Sequence, residues 1–253
     1  MKVTFLGTGT SQGVPVIGCS CEVCTSLDFR DKRLRTSVHL HVEGKSIIID
    51  SGPDFRQQVL TNRIQQLDAL VFTHEHKDHT AGMDDVRSFN FLQQRPMPVY
   101  AHDRVISSLK REFAYVFAEK KYPGVPQINL NPIGLNRFQV ADILFQPIEV
   151  LHYKLPVLGF RVLDFTYITD AKTIAEEEKE KIKGSKVLVI NALQRQKHIS
   201  HFTLDEALAM VEELQPKQAY FTHLSHRMGT HRDVEKELPS NVRIAYDGLT
   251  VEV

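Results

Sequence analysis

Thr73-His74-Glu75-His76-Lys77-Asp78-His79-Thr80 is the stretch from which the fold is read. Three histidines and an aspartate lie between positions 74 and 79, directly after the apolar run Asp68-Ala-Leu-Val-Phe-Thr73. That run predicts a buried β-strand. The cluster therefore sits where a strand gives way to a loop and a helix begins. A regular helix cannot gather 74, 76, 78 and 79 on one face, because positions two apart lie on opposite sides. A loop can. Neutral imidazole and carboxylate are the ligand set for Zn²⁺, Mn²⁺ or Fe²⁺ at a hydrolytic centre. The bland alternative is a solvated His-rich loop. The metal reading demands further ligands elsewhere in the chain, so the sequence can fail it.

Working outward, the chain of 253 residues is long for one domain but suits an α/β sandwich. With 42% hydrophobic and 25% charged residues, the composition is that of a soluble globular protein. The 31 basic and 31 acidic residues cancel, so net charge advertises neither nucleic acid nor membrane, though a local phosphate pocket remains compatible. No stretch approaches the roughly 20 apolar residues of a membrane span. Met1-Lys-Val-Thr-Phe-Leu-Gly enters a strand at once, without a signal-peptide core, and a cytoplasmic location is expected. Three closely spaced cysteines argue against a disulfide framework.

Before the cluster, a strand over Lys2 to Gly7 runs into Gly7-Thr-Gly-Thr-Ser-Gln-Gly13. This run matches neither the dinucleotide nor the Walker pattern, and reads first as a tight turn needing positive φ at glycine. Cys19, Cys21 and Cys24 can take three corners of a Zn²⁺ tetrahedron, the fourth coming from afar. Ser37 to Glu43 and Lys45 to Asp50 read as a hairpin. His39 and His41 share one face of it, more as polar surface than as ligands. Asp54 opens a helix.

After the cluster, Asp84 to Gln94 reads as a helix, and Asp103 as the N-cap of another running to about Phe117. Tyr122 to Pro126 is a loop, a lid or a substrate wall. Strands follow near 128–132, 138–141 and 143–150, the last leading into His152. The pair 157–163 and 165–169 leads to Asp170. Ala175 to Lys183 is charged and reads as a solvated helix. A buried strand, Val187 to Ile190, leads to His198 and His201. Thr203 and Glu206 form a capping box, so a helix starts just after His201. Its buried stripe is Leu204, Ala207, Leu208, Val211 and Leu214. A last strand, Gln218 to Thr222, delivers His223-Leu-Ser-His226. A helix near 230–238 and strands over 242–246 and 249–253 close the chain.

Thr-His-x-His-x-Asp-His resembles the signature of the metallo-β-lactamase superfamily. The resemblance covers the whole chain. It implies an α/β (αββα) four-layer sandwich, two mixed β-sheets face to face with outer helices, as one domain over 1–253. It also implies two catalytic divalent metals. His74, His76 and His152 would hold one, Asp78, His79 and His223 the other, and Asp170 would bridge them. Asp50 would support the metal loop from behind. Gly7-Thr-Gly-Thr-Ser-Gln-Gly-Val-Pro15, Cys-x-Cys-x-x-Cys and Thr222-His-Leu-Ser-His226 resemble a narrower group. It includes the phosphodiesterase of the carbon–phosphorus lyase pathway, which opens a 5-phosphoribosyl 1,2-cyclic phosphate. That resemblance implies Mn²⁺ or Zn²⁺ at the catalytic pair, and one structural Zn²⁺ on Cys19, Cys21, Cys24 and His226.

The expected reaction is hydrolysis of a small, cyclic ribosyl phosphodiester. Hydroxide from metal-polarised water attacks phosphorus, and His201 protonates the departing oxygen. Asp78 belongs to the catalytic set, and His198 is the rival to His201 or a substrate contact. Four other readings compete: a transfer-RNA 3′-end endonuclease, a thioesterase or lactonase, a pyrroloquinoline quinone biosynthesis protein, and a non-catalytic binding protein. The endonuclease ranks second, because no Gly/Pro-rich arm is inserted. A binding protein would be expected to have lost ligands, and none is missing. The expected partner is a small phosphodiester ahead of nucleic acid, with no membrane; a homodimer is compatible with the sequence.

Overall fold

A computed structural model describes residues 1–253. Seven strands form the first sheet, in the order Thr250–Glu252, Lys2–Gly7, Ser37–Val42, Lys45–Ile49, Ala69–Val71, Met97–His102 and Ile128–Ile133. The second has eight, seven of them in the order Thr173–Ile174, Ile143–His152, Leu155–Val162, Phe165–Tyr167, Val187–Asn191, Gln218–Thr222 and Val242–Ile244. Phe138–Val140 pairs with Ile143–His152 beside them. Both sheets mix parallel and antiparallel pairs, as the expected sandwich requires.

Strand alternation explains the layering. In Ser37–Val42, Val38, Leu40 and Val42 are buried, while His39 is half-buried and His41 exposed. Side chains of one parity meet the other sheet. Val38, Leu40, Ile47, Ile49 and Val71 pack there against Phe145, Phe160, Phe165 and Val189. The opposite faces carry helices. Leu6, Ile48 and Leu70 lie under Phe55, Val105 and Leu109. Leu188, Ile190 and Phe221 lie under Leu204, Ala207 and Val211. Parallel strands of both sheets end at one edge of the sandwich, the usual place for a site in such folds. Asp50, His74, Asp170, Asn191 and His223 occur at or just beyond those ends.

Several local expectations are corrected. The helix expected over 84–94 is a 3₁₀ turn, Met83–Val86, followed by an α-helix, Arg87–Gln93. The one expected to reach Phe117 stops at Glu112, with a separate turn at Ala114–Phe117. Its N-cap is His102, whose Nδ1 accepts the Arg104 amide, rather than Asp103. Glu176–Ile182 is not merely solvated: Ile182 enters the core, and Glu178 accepts the Glu149 amide. In the Gly-rich run only Gly13 has positive φ. Gly7 serves close approach instead, since a Cβ there would overlap the Arg35 carbonyl oxygen. Two glycines do the same below the His loop. A Cβ on Gly52 would strike the Asp78 carbonyl, and one on Gly82 the Gly52 carbonyl. Amide bonds from Ser51 to His79 O and from Gly82 to Ser51 O, each 2.8 Å, close this contact.

Candidate metal centre

The His loop is a single helical turn, Lys77–Thr80, entered from the strand Ala69–Val71. One turn places Asp78 and His79 side by side, while His74 stays in the extended segment before it. His74 and His79 are completely buried, and their rings lie 4.2 Å apart. Nε2 of His79 is 3.2 Å from Asp78 Oδ2 and 3.2 Å from Asp170 Oδ2. Nε2 of His223 is 3.2 Å from Asp170 Oδ1 and 3.7 Å from Asp78 Oδ2. Asp170 thus turns one oxygen to each side, from a left-handed backbone position with φ 57°.

Hydrogen bonds fix which ring nitrogens are free. Thr73 Oγ1 donates to Asp50 Oδ2 at 2.8 Å, so it can only accept from His74 Nδ1, 2.9 Å away. His79 Nδ1 donates to Asp50 Oδ2 at 2.7 Å, and His152 Nδ1 to Ser200 O at 3.0 Å. In all three rings Nε2 is the nitrogen left facing the centre. Nε2 of His74, His79 and His223 is buried without a hydrogen-bond partner. Close, unaligned nitrogens and carboxylate oxygens about 3.3 Å apart are what tetrahedral ligands at about 2.0 Å from a shared cation would give. The donor set therefore fits cations better than it fits itself. His74 with His79 and Asp170, Asp78 with His79 and His223, and His152 with Asp170 and His201 each converge within 4.8 Å.

Electrostatics run the same way. Burial would raise the Asp170 carboxyl, but His223, His79 and the His201 hydrogen bond hold it well below the usual range. Asp78 is likewise held low, by His79 and His223 against burial. Burial drives His74 well below the ordinary imidazole value. His76 is the outlier of the expected set. It is exposed and makes no side-chain hydrogen bond, but its ring lies 4.6 Å from His74 and 5.2 Å from His152, at the open side.

His201 enters from the loop ahead of its capped helix. Its Nε2 is 2.8 Å from Asp170 Oδ1, and its ring stacks on His223 at 4.8 Å. Burial pushes the imidazole down to about 4, against the pull of Asp170. His198 Nδ1 lies 3.2 Å from His201 Nδ1 and makes no contact with the carboxylates, so it stands behind His201. Sequence reading missed Thr73, Thr169 and Asn191 as supports. Thr169 Oγ1 donates to Asp170 Oδ2 at 2.7 Å. Adjacency to a ligand was the available signal for Thr73 and Thr169, which precede His74 and Asp170. Arg35, near the motif loops, is committed to Asp54 and to Ser11 O. From the loop at Tyr122 to Pro126, Tyr122, Pro123, Gly124 and Val125 wall a separate notch with Arg87 and Phe91.

A second cluster stands apart. Nδ1 of His226 is 3.2, 3.4 and 3.5 Å from the sulfurs of Cys19, Cys21 and Cys24. One imidazole nitrogen cannot bond three thiols at once. A tetrahedron with Zn–S of about 2.3 Å and Zn–N of about 2.0 Å has edges of about 3.5 Å. The Cys21 thiol is lowered to about 6, chiefly by the Cys24 backbone amide, while burial pushes the Cys24 thiol up to about 11, so the convergent geometry and not the acidity of the thiols points to a metal. Leu224, between His223 and His226, is held to the Gly-rich run: its amide donates to Thr8 O and its carbonyl accepts the Thr10 amide.

Residues 45–224 match the model of the β-lactamase superfamily domain. The chain belongs to the metallo-β-lactamase superfamily. A diphosphatase of the PhnP family is 37% identical, with a TM-score of 0.93 over 100% of this chain and 97% of that one. A protein of Porphyromonas gingivalis named octanoyltransferase is 41% identical over 252 residues, 98% of this chain but 51% of that protein. Coenzyme PQQ synthesis protein B of Bradyrhizobium diazoefficiens is 27% identical over 62% of this chain and 53% of its own. The chain spans about half the length of the curated relatives it matches. The Zn²⁺-bound PqqB of Methylobacterium extorquens shares the fold at a TM-score of 0.81 and 17% identity. No helix is long and apolar enough to cross a membrane.

Proposed function

We propose that residues 1–253 form a dinuclear-metal hydrolase domain that cleaves a phosphorus–oxygen bond in a small phosphodiester, with a cyclic ribosyl phosphodiester as first candidate. The observation that carries this reading is Asp170, one oxygen facing His79 and the other His223 and His201. His74, His76, His152 and Asp170 would hold one cation, and Asp78, His79, His223 and Asp170 the second. Two divalent cations, Mn²⁺ or Zn²⁺, supply an activated water and charge neutralisation at a phosphoryl group when bound. Cys19, Cys21, Cys24 and His226 would hold a structural Zn²⁺.

The chain's own residues do the rest. Asp50, Thr73 and Ser200 O keep three imidazoles in the Nε2-presenting tautomer. His201 carries its Nε2 proton toward Asp170 Oδ1. Protonated on both nitrogens and turned from Asp170 to the leaving oxygen, His201 would give up that proton and remain a neutral imidazole. The 37% identical diphosphatase supports a phosphate substrate.

One observation favours a second reading. The relative named octanoyltransferase aligns with 98% of this chain over 51% of its own length, and a carbonyl is also a substrate for a metal-polarised water. An octanoyl thioester is then the competing substrate. Phosphorus NMR of manganese-loaded protein with 5-phosphoribosyl 1,2-cyclic phosphate and with a nucleoside diphosphate, beside thiol release from an octanoyl thioester, separates the two. Phosphorus turnover absent in His74→Ala supports the proposal. Thiol release alone overturns it.

A further inference from the structure

Asn191 ends the strand Val187–Asn191 and is completely buried. In the strand's parallel ladder, Tyr167 pairs with Val189, and the Ile168 amide donates to Val189 O at 2.8 Å. Beyond this point the neighbouring chain leaves the ladder. Asp170 turns left-handed there, with φ 57°. The Asn191 amide continues the pairing instead. Its Oδ1 accepts the Ala171 amide at 2.7 Å, and its Nδ2 donates to Ala171 O at 3.0 Å. A primary amide offers one acceptor and donors in the same plane, so it can grip both sides of one residue. Ala171 O also accepts the Phe202 amide at 2.9 Å, and the Leu193 amide donates back to Phe202 O at 2.9 Å. Asp170 precedes Ala171, and His201 precedes Phe202. One side chain thereby fixes the backbone beside both.

We propose that Asn191 is a positioning residue: its two-point grip on Ala171 holds Asp170 in its left-handed pose and sets His201 within reach of it. Thr169 cannot substitute, since it orients the carboxylate but not the backbone that bears it. Without the grip, a left-handed aspartate relaxes toward ordinary backbone angles. Its carboxylate then swings away from His79, His223 and His201 together. The inference rests on the metal-centre reading above, but not on any choice of substrate.

The test compares Asn191→Ala and Asn191→Asp with the intact protein. Asn191→Asp keeps the acceptor for the Ala171 amide but sets a carboxylate oxygen against Ala171 O in place of the donor, so it breaks one half of the grip and serves if the alanine variant does not fold. Manganese affinity is measured by competition with a chromogenic chelator, with cysteine-bound zinc counted in the same sample. Expected is a drop of about 10- to 100-fold in manganese affinity for either variant, with zinc content unchanged. Turnover of whichever substrate the intact protein accepts should fall in kcat more than in KM. Manganese affinity equal to that of the intact protein in a folded variant overturns the inference. So does a parallel loss of zinc, which marks general unfolding. If the intact protein binds manganese but turns over no phosphorus substrate, the functional reading fails while the Asn191 result still stands.

Discussion

Nδ1 of His79 lies 2.7 Å from Oδ2 of Asp50, with both side chains completely buried. Burial pushes the Asp50 carboxyl up and would push His79 down. Asp78, Asp170 and Asp50 override the second effect and hold His79 well above the ordinary imidazole value. The metal-free centre therefore keeps a proton that a cation must displace, so cation affinity rises with pH. Asp50→Asn tolerates the left-handed backbone at this position, φ 65°, but removes the charge behind His79. The expected result is about a 10- to 100-fold loss of catalytic-metal affinity. Elemental analysis after dialysis checks it, with cysteine-bound zinc as the internal reference.

His201 donates to Asp170 without being needed to gather the other ligands. His201→Ala should lower turnover about 100- to 10,000-fold while manganese content stays as in the intact protein. Equal loss of metal and activity would make His201 a ligand instead of a proton donor. Parallel elemental analysis and single-turnover kinetics separate these outcomes.

The cysteine cluster acts on stability. Cys21→Ser removes one of the three sulfurs around His226 Nδ1. Loss of the zinc should cost about 2 kcal/mol or more, which for a chain of this size is roughly 4–8 °C in Tm. The intact protein should show a comparable fall with a strong chelator, and the serine variant little further change. Calorimetry with and without chelator is the check.

His39 gives a pH signature away from the metals. Burial, then the charges of His41 and Lys2, lower its imidazole to about 4, while its Nε2 bonds Ser46 Oγ at 2.8 Å. The unfolded chain binds this proton near pH 6.5, so between about 6.5 and 4 the unfolded state holds more protons. Stability from this group is complete above that window and lost as pH falls through it. The size is on the order of 1–3 kcal/mol. His39→Gln should flatten the fall in urea midpoint between about pH 7 and about pH 5. An unchanged slope would assign the acid sensitivity elsewhere.

The fold and the ligand-bearing strand ends were legible because each rests on a local signal. Apolar runs ending in His or Asp mark parallel strands, and Thr203 with Glu206 marks a helix start that the structure reproduces. Supports at a distance were not legible. Nothing in Asn191 itself says that its amide completes a ladder with a residue twenty positions earlier. The break at Phe113 and the burial of Glu178 likewise depend on packing, which overrides local propensity. His76 illustrates the converse: its motif position is plain in sequence, yet its side chain waits at the open edge.

Gly52 and Gly82 leave only backbone between the chain after Lys45–Ile49 and the loop that carries Asp78 and His79. No rotamer intervenes, so the spacing of the two segments is inherited from covalent geometry and cannot drift as the core around it is repacked. The outer layers of the molecule are thus free to diverge, while a single added methyl group at either glycine would lift the whole loop off its seat.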